Sequence, residues 1–186
     1  MSMNAARANQ AAAEPHSDAG LSPDLTRRET VLVMLCVLVG MLLAALDQTI
    51  VGTAMPQIVA DLRGLEHYAW VATSYMLAST VTVPIFGKLS DMYGRRLFYI
   101  GGMVIFLIGS ALCGMSQDLT QLIIFRGVQG LGAGAMMPVA IAIIGDIFPP
   151  SERGKWQGLT MGVLGLSTAA GPILGGWIAD SWGWPW

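Results

Sequence analysis

The run Gly87-Lys88-Leu89-Ser90-Asp91-Met92-Tyr93-Gly94-Arg95-Arg96 concentrates charge between two long apolar segments. Residues 68–87 form the segment before the charges and residues 97–115 the segment after them. Each is long enough for a helix to cross a hydrocarbon core of about 30 Å. Two such segments joined by a short polar connection predict a membrane hairpin. We interpret the charged run as a water-facing turn, whose glycines permit a tight reversal.

The composition is that of an integral membrane protein. Hydrophobic residues make up 54% of the chain and charged residues 12%, with a mean hydropathy of +0.59. These values lie outside the usual balance of soluble domains. A net charge of −2 says little on its own, and we expect no nucleic-acid partner. Cys36 and Cys113 stand in separate apolar segments without metal or redox spacing, so we predict no disulfide, metal site or cofactor.

Five apolar segments recur along the chain. They span residues 31–59, 68–87, 97–115, 119–148 and 156–179. Residues 1–29 have no apolar core and predict a disordered tail, ahead of a transmembrane region at residues 30–186. Pro149 and Pro150 are expected to end the fourth helix, and residues 151–155 to form a turn before the fifth. The prediction is an all-α membrane protein with five transmembrane helices.

The distribution of basic residues predicts the orientation. Eight of the ten lysines and arginines fall on one side of the predicted membrane: Arg7, Arg27, Arg28, Lys88, Arg95, Arg96, Arg153 and Lys155. Because basic residues are enriched in cytoplasmic connections, we expect a multi-pass protein of the cell membrane with a cytoplasmic N-terminus.

Four motifs occur in order along the chain. They are residues 87–96 together with Leu46-Asp47-Gln48-Thr49-Ile50-Val51 and Pro56, Arg126-Gly127-Val128-Gln129-Gly130, and Gly171-Pro172-Ile173-Leu174-Gly175-Gly176. Over about residues 32–186 they resemble the major facilitator superfamily, and the first-helix and Gly-Pro motifs resemble its drug:proton antiporter branch, especially the fourteen-span type. Gly52 and Ser167 depart from the pattern of that branch, at positions where asparagine and glycine are usual.

This resemblance implies proton-coupled efflux of lipophilic or cationic drugs across the cytoplasmic membrane, without enzymatic chemistry. The implied partners are the drug, protons, the lipid bilayer and the missing C-terminal helices, because members of this family bind substrate between two related halves. On this interpretation the chain is an N-terminal fragment, an incomplete first half of the fold. The alternative is a truncated, non-transporting membrane interaction protein.

The resemblance also implies two sets of functional residues. A gating loop would comprise Gly87, Asp91, Gly94, Arg95 and Arg96, with Asp146 as the acid that completes its charge network. An antiporter helix would comprise Gly158, Gly171, Pro172, Gly175 and Gly176. The simpler alternatives are a solvated turn for the first set and close helix packing for the second.

Asp47 and Arg126 are the candidate coupling residues, with Gln129 from the same motif as Arg126. A charge at membrane depth costs at least about 2.5 kcal/mol and usually marks function. At 1.5 Å per residue, Asp47 lies about 24 Å and Arg126 about 22 Å above the inner surface. Two opposite charges at one depth predict an alternating contact, and the alternative is a purely structural ion pair. Met41, Met55, Met76, Met136 and Met137 are interpreted as packing residues rather than as a drug site.

Overall fold

The computed structural model describes residues 26–62 and 67–182, and the regular elements in these ranges are all helical. The helices are α1 (Arg27–Leu62), α2 (Tyr68–Tyr93), α3 (Arg95–Gly114), α4 (Leu119–Ile147) and α5 (Pro150–Trp182). All five are long and apolar enough to cross a membrane. The predicted all-α fold with five spans is therefore confirmed for the described residues. Most of the predicted tail at residues 1–29 lies outside the described residues.

A capping box begins α1 earlier than the sequence suggested. The hydroxyl of Thr26 accepts from the backbone N–H of Glu29 at 3.4 Å, and the Glu29 carboxylate accepts from the backbone N–H of Thr26 at 2.8 Å. This reciprocal arrangement satisfies N–H groups that have no partner inside the helix. The last residues of the predicted tail are therefore the first turn of α1.

The predicted turn at residues 87–96 is wrong in its extent. Helix α2 continues through the charged run to Tyr93, and α3 begins at Arg95, so the break is confined to Gly94. Gly94 has φ +100°, a conformation that a side chain disfavours, and its N–H donates to the carbonyl of Ser90 at 3.1 Å. A single glycine therefore makes the reversal, and the charges lie on the ends of two helices.

The predicted turn at residues 151–155 is also wrong, because these residues are helical. Helix α4 ends at Ile147, and Pro150 occupies the first position of α5, where its missing N–H costs no hydrogen bond. Arg153 folds back and donates to the carbonyls of Gly145 at 2.6 Å and Phe148 at 3.0 Å. The side chain thereby caps the end of α4.

Helix α4 is the centre of the bundle and packs between α2 and α3. A Cβ at Gly130 would lie 2.5 Å from the carbonyl oxygen of Tyr75, and one at Gly134 would lie 2.5 Å from that of Ser79. On the α3 side, a Cβ at Gly109 would lie 2.7 Å from Cα of Gln129. Glycine at these positions lets the backbones approach closely. These close contacts fix the position of α4 along the axes of both neighbouring helices.

A second close pair joins α1 to α5. A Cβ at Gly171 would overlap the side chain of Thr49, and one at Gly175 would lie 3.0 Å from Cα of Ile50. The Thr49 hydroxyl also donates to the carbonyl of Ser167 on α5 at 3.3 Å. These contacts hold the middle of α1, where Asp47 lies, against α5.

Candidate functional site

A buried cluster of Asp47, Arg126 and Gln129 links α1 to α4. The Nη1 of Arg126 donates to Oδ2 of Asp47 at 2.6 Å and to Oε1 of Gln129 at 2.7 Å. The Nε2 of Gln129 donates to Oδ1 of Asp47 at 2.8 Å. Arg126 is 4% exposed, Gln129 0% and the Asp47 side chain 15%. The three side chains thus form a closed ring of hydrogen bonds away from water.

Helix geometry explains why these groups meet. Arg126 and Gln129 are three residues apart and share one face of α4. The sequence estimate placed Asp47 and Arg126 at nearly the same depth, and the ion pair agrees with that estimate. The roles assigned to the three residues stay predictions.

Tyr75 of α2 is a member of the site that the sequence did not indicate. The guanidinium carbon of Arg126 lies 4.7 Å from the centre of the Tyr75 ring, within the range of a cation–π contact. The Tyr75 ring is buried. The close approach of Gly130 to the Tyr75 backbone fixes the position of Tyr75 along α4. An aromatic residue in an apolar span is usually a packing residue, so only the contact reveals this role.

Two cavities lie on different sides of the buried cluster. The methionine-lined cavity has a volume of about 340 Å³ and is formed by α1, α2, α4 and α5. Its walls include Met41, Met136, Met137, Gln48, Tyr75 and Thr168. Three of the five methionines interpreted as packing residues therefore share one cavity, whereas Met76 is exposed and Met55 packs in a separate apolar cluster.

The second cavity, which we name the Cys113 cavity, has a volume of about 110 Å³ and lies between α1, α3 and α4. Asp47, Arg126 and Gln129 all line it, together with Ser110 and Cys113. The thiol of Cys113 donates to Oε1 of Gln129 at 3.7 Å. The charged groups of the site therefore face the smaller cavity and not the methionine-lined one.

A second ionic group, the rim cluster, lies at the end of the bundle where α2 meets α3. Arg95 forms ion pairs with both Asp91 and Asp146 and so joins the α2–α3 junction to the end of α4. The side chains are 25% exposed for Arg95, 59% for Asp91 and 54% for Asp146. Three of the six proposed gating residues are thus in direct contact.

The other proposed gating residues do not join this network. Gly94 forms the chain reversal described above, and Gly87 has ample space, since a Cβ there would lie 3.8 Å from Cβ of Pro138. Arg96 lines a neighbouring groove beside Glu29 and Ile100.

The proposed antiporter helix residues divide into two groups. Gly171 and Gly175 lie against α1 and cannot accept a side chain without movement. Gly158 and Gly176 have open space where a Cβ would lie, and α5 stays helical through Pro172. Close packing therefore accounts for two of these residues and leaves the others unexplained.

The described residues contain no group of three or more His, Cys, Asp or Glu side chains able to hold a metal ion. Cys36 and Cys113 are both free thiols.

Comparison with known proteins identifies relatives over most of the chain. The sequence profile of the Major Facilitator Superfamily matches residues 37–186. Multidrug resistance protein 3 of Bacillus subtilis is 54% identical over 157 residues, which cover 84% of this chain and 31% of that protein. Multidrug transporter protein MdtP of the same organism is 49% identical over 166 residues, covering 89% of the chain and 31% of MdtP.

A third relative carries a different name. Riboflavin transporter RibZ of Clostridioides difficile is 40% identical over 156 residues, covering 83% of this chain and 34% of RibZ. The chain thus spans about a third of the length of each of these three curated relatives.

Proposed function

The chain belongs to the major facilitator superfamily of membrane transporters, and from that premise we propose that it forms the N-terminal part of a proton-coupled exporter of lipophilic or cationic drugs. The exporter would lie in the cell membrane, with its N-terminus and the rim cluster on the cytoplasmic side. The remaining helices would be supplied by the rest of the transporter, because the substrate site of such proteins lies between two halves.

The observation that carries the proposal is the buried ion pair between Asp47 and Arg126. A proton that binds Asp47 neutralises the carboxylate and removes the charged partner of Arg126. In surroundings shielded from bulk water, this leaves an uncompensated buried cation, which costs about 3–5 kcal/mol. Protonation therefore favours any rearrangement that gives Arg126 a new partner, and this is the coupling that an antiporter needs.

The methionine-lined cavity is this chain's part of the drug site in this proposal. Its volume of about 340 Å³ lies within the range of small-molecule sites, and most of its lining is apolar. Methionine side chains adapt to ligands of different shape because they are unbranched and polarizable. Gln48 and Tyr75 line this cavity, and the Tyr75 ring contacts Arg126, so a bound drug would be linked to the ion pair through Tyr75.

The rim cluster acts as a latch in this proposal. Exposed ion pairs contribute only about 0.2–1 kcal/mol each. Contacts of that strength hold one arrangement of helices and break readily when the protein changes state. The junction between α2 and α3 would thus be released from α4 during each cycle.

The decisive experiment is proton release on addition of a drug to the purified full-length transporter in weak buffer. The parent protein should release protons on addition of ethidium, and the Asp47→Asn variant should bind the dye without releasing them. An Asp47→Asn protein that releases protons like its parent would show that the coupling carboxylate lies elsewhere.

The same assay separates two substrate classes. The likeness to RibZ favours a flavin as the second candidate substrate, so riboflavin forms a parallel arm with ethidium. We expect ethidium to cause proton release and riboflavin to have no effect. Release with riboflavin alone would reject the drug-export proposal and support flavin transport.

A further experiment tests the alternative of a non-transporting interaction protein. Residues 1–186 expressed alone should confer no drug resistance, because a site built between two halves is absent. Full-length transporter at equal membrane abundance is the control and should confer resistance. Resistance from residues 1–186 alone, in cells without another transporter of this family, would contradict the proposal.

A further inference from the structure

We propose that the Cys113 cavity is the compartment through which protons reach Asp47, and that it is separate from the methionine-lined cavity that takes the drug. This inference rests on the proposed function, since it assigns the proton path of the same exporter. Four observations support it: the polarity of the cavity, its position, its separation from the drug side and a buried N–H group without a partner.

The Cys113 cavity is polar enough and large enough to hold water. Asp47, Arg126, Gln129 and Ser110 contribute polar groups to its walls. At roughly 30 Å³ per molecule in the liquid, about 110 Å³ accommodates roughly three to four waters. Water in a polar cavity of this size can connect an ionisable group to the solvent.

An unsatisfied donor gives an independent indication of water. Among the described residues, the Nε of Arg126 is the buried side-chain nitrogen or oxygen for which no hydrogen-bond partner is found. A buried N–H without an acceptor costs about 1–3 kcal/mol, and more for a charged group. Arg126 lines the Cys113 cavity, and we infer that a water in this cavity supplies the missing acceptor.

The position of the cavity shows from which side protons would enter. Ile58, Gly114 and Leu122 form part of its wall and lie close to the end of α1, the end of α3 and the start of α4. All three helix ends lie opposite the rim cluster, which is built on the start of α3 and the end of α4. In the proposed orientation the Cys113 cavity therefore faces the outside of the cell.

The two cavities have different linings. Their described walls share no residue, and Tyr75 lines the methionine-lined cavity while its ring lies on the guanidinium of Arg126. Tyr75 thus stands between a bound drug and the ion pair. A drug can influence Arg126 through this ring without entering the proton compartment.

The proton transfer involves few groups. A hydronium in the cavity gives one proton to an oxygen of Asp47 and becomes water, and the carboxylate becomes a neutral carboxyl. Each carboxylate oxygen can accept more than one hydrogen bond, so the bonds from Arg126 and Gln129 do not prevent approach of water. The other ionisable groups near Asp47 are Arg126, Tyr75 and Cys113.

Filling either cavity tests the separation. In the full-length transporter, Cys113→Leu should occupy part of the Cys113 cavity and slow drug-induced proton release about tenfold, with drug affinity changed by less than about twofold. Cys113→Ser is the matched control, since it keeps the small size, and should behave like the parent. Met137→Phe should weaken drug binding about tenfold and leave the rate of proton binding in the absence of drug unchanged.

Normal proton kinetics in Cys113→Leu at equal membrane abundance would overturn the assignment of this cavity. That result is distinct from failure of the proposed function itself, in which Asp47→Asn still releases protons. Loss of drug affinity together with proton release in Cys113→Leu would show a single shared compartment and would also overturn the inference.

Thiol labelling tests the same assignment without enlarging a side chain in the cavity. In the folded transporter with every other cysteine replaced by serine, Cys113 should react with a small, charged methanethiosulfonate reagent added from outside, and proton release should slow. A protein with Cys36 as its single cysteine is the control, because Cys36 lies in the groove beside Arg95 at the opposite end. Reaction of Cys113 from the cytoplasmic side alone, or no reaction from outside, would overturn the proposed route.

Discussion

The buried cluster and the rim cluster each contain an ion pair between an arginine and an aspartate, in different surroundings. Each arginine donates hydrogen bonds to two other side chains, and each cluster joins α4 to another helix. Arg126 is 4% exposed, whereas Arg95 is 25% exposed and both its acids are more than half exposed. This difference in burial separates their expected effects.

The difference in burial determines which cluster has the larger effect on stability. Removing one partner of a buried pair leaves a charge without compensation and costs about 3–5 kcal/mol, whereas an exposed pair contributes about 0.2–1 kcal/mol. In the proposed mechanism, a proton on Asp47 would therefore change the stability of a whole state. The rim cluster would only bias the balance between states that are already close in energy.

The largest effect is expected from Arg126→Ala, which leaves Asp47 as an unpaired buried acid. We expect coupled transport to be lost and the free energy of unfolding of the purified full-length protein to fall by about 3 kcal/mol. Drug-driven proton release and thermal unfolding in detergent measure the two effects.

The double variant Asp47→Asn/Arg126→Gln is the control for this prediction. Neutralising both partners removes the unpaired charge, so stability should return toward that of the parent while coupling stays absent. If Arg126→Ala were as stable as the parent, the pair would not be energetically important and the contrast with the rim cluster would fail.

An intermediate effect is expected from Gly171→Ala, which tests how the buried cluster is held in place. The added methyl overlaps Thr49, two residues beyond Asp47, and should displace α1 from α5. Strain of this kind typically costs about 1–3 kcal/mol, so transport should decrease severalfold. Transport rates at matched abundance measure the effect.

Gly176→Ala is the matched control, because the position has open space for a Cβ on the same helix. It should leave transport unchanged in a complete transporter if α5 contributes through its contact with α1. Equal defects in both variants would show that the Gly-Pro motif acts through helices beyond this chain.

The smallest effect on stability is expected from Asp91→Asn in the rim cluster. It should change the free energy of unfolding by less than about 1 kcal/mol, because the pair with Arg95 is exposed. Transport should nevertheless decrease if the cluster biases the switch between states. Normal transport at equal abundance would favour a solvated junction without a gating role.

Ionic strength sharpens this last prediction. At about 1 M salt the screening length is near 3 Å, so exposed pairs weaken while buried pairs change little. High salt should therefore reproduce the effect of Asp91→Asn in the parent and have little further effect in the variant. A large additional effect of salt on the variant would show that other charges dominate.

The sequence predicted the fold well wherever a fixed geometric rule applied. Five apolar segments of membrane length became five helices, and the constant rise per residue placed Asp47 and Arg126 at one depth. Such estimates succeed because the helix leaves little freedom along its axis. They need no knowledge of the neighbouring side chains.

The sequence predicted helix ends poorly. A polar residue indicates exposure to water, but it does not indicate where a helix ends. Asp91 and Glu152 are polar, yet both continue helices that extend past the apolar stretch. Within residues 87–96 the break is at Gly94, which has a positive φ. Charged residues at the membrane surface therefore indicate exposure and not a turn.

The contacts between distant helices could not be predicted from the sequence. Gly171 and Gly176 belong to the same motif and look equivalent, yet only Gly171 meets α1. Tyr75 resembles an ordinary apolar residue of α2 until its ring is seen on Arg126. Both facts depend on which helices become neighbours, and nothing local in the sequence specifies that.

The wide separation of Asp47 and Arg126 in the chain has a consequence for biosynthesis. Asp47 precedes Arg126 by 79 positions, which corresponds to about 4–16 s of synthesis at 5–20 residues per second. An arginine at membrane depth is costly without a partner, so an acidic partner that is already in the bilayer would lower the cost of inserting α4. When α4 emerges from the ribosome, its acidic partner is already in place. Translation in the presence of membranes tests this order, because Asp47→Leu should reduce the insertion of α4 and leave that of α2 unchanged.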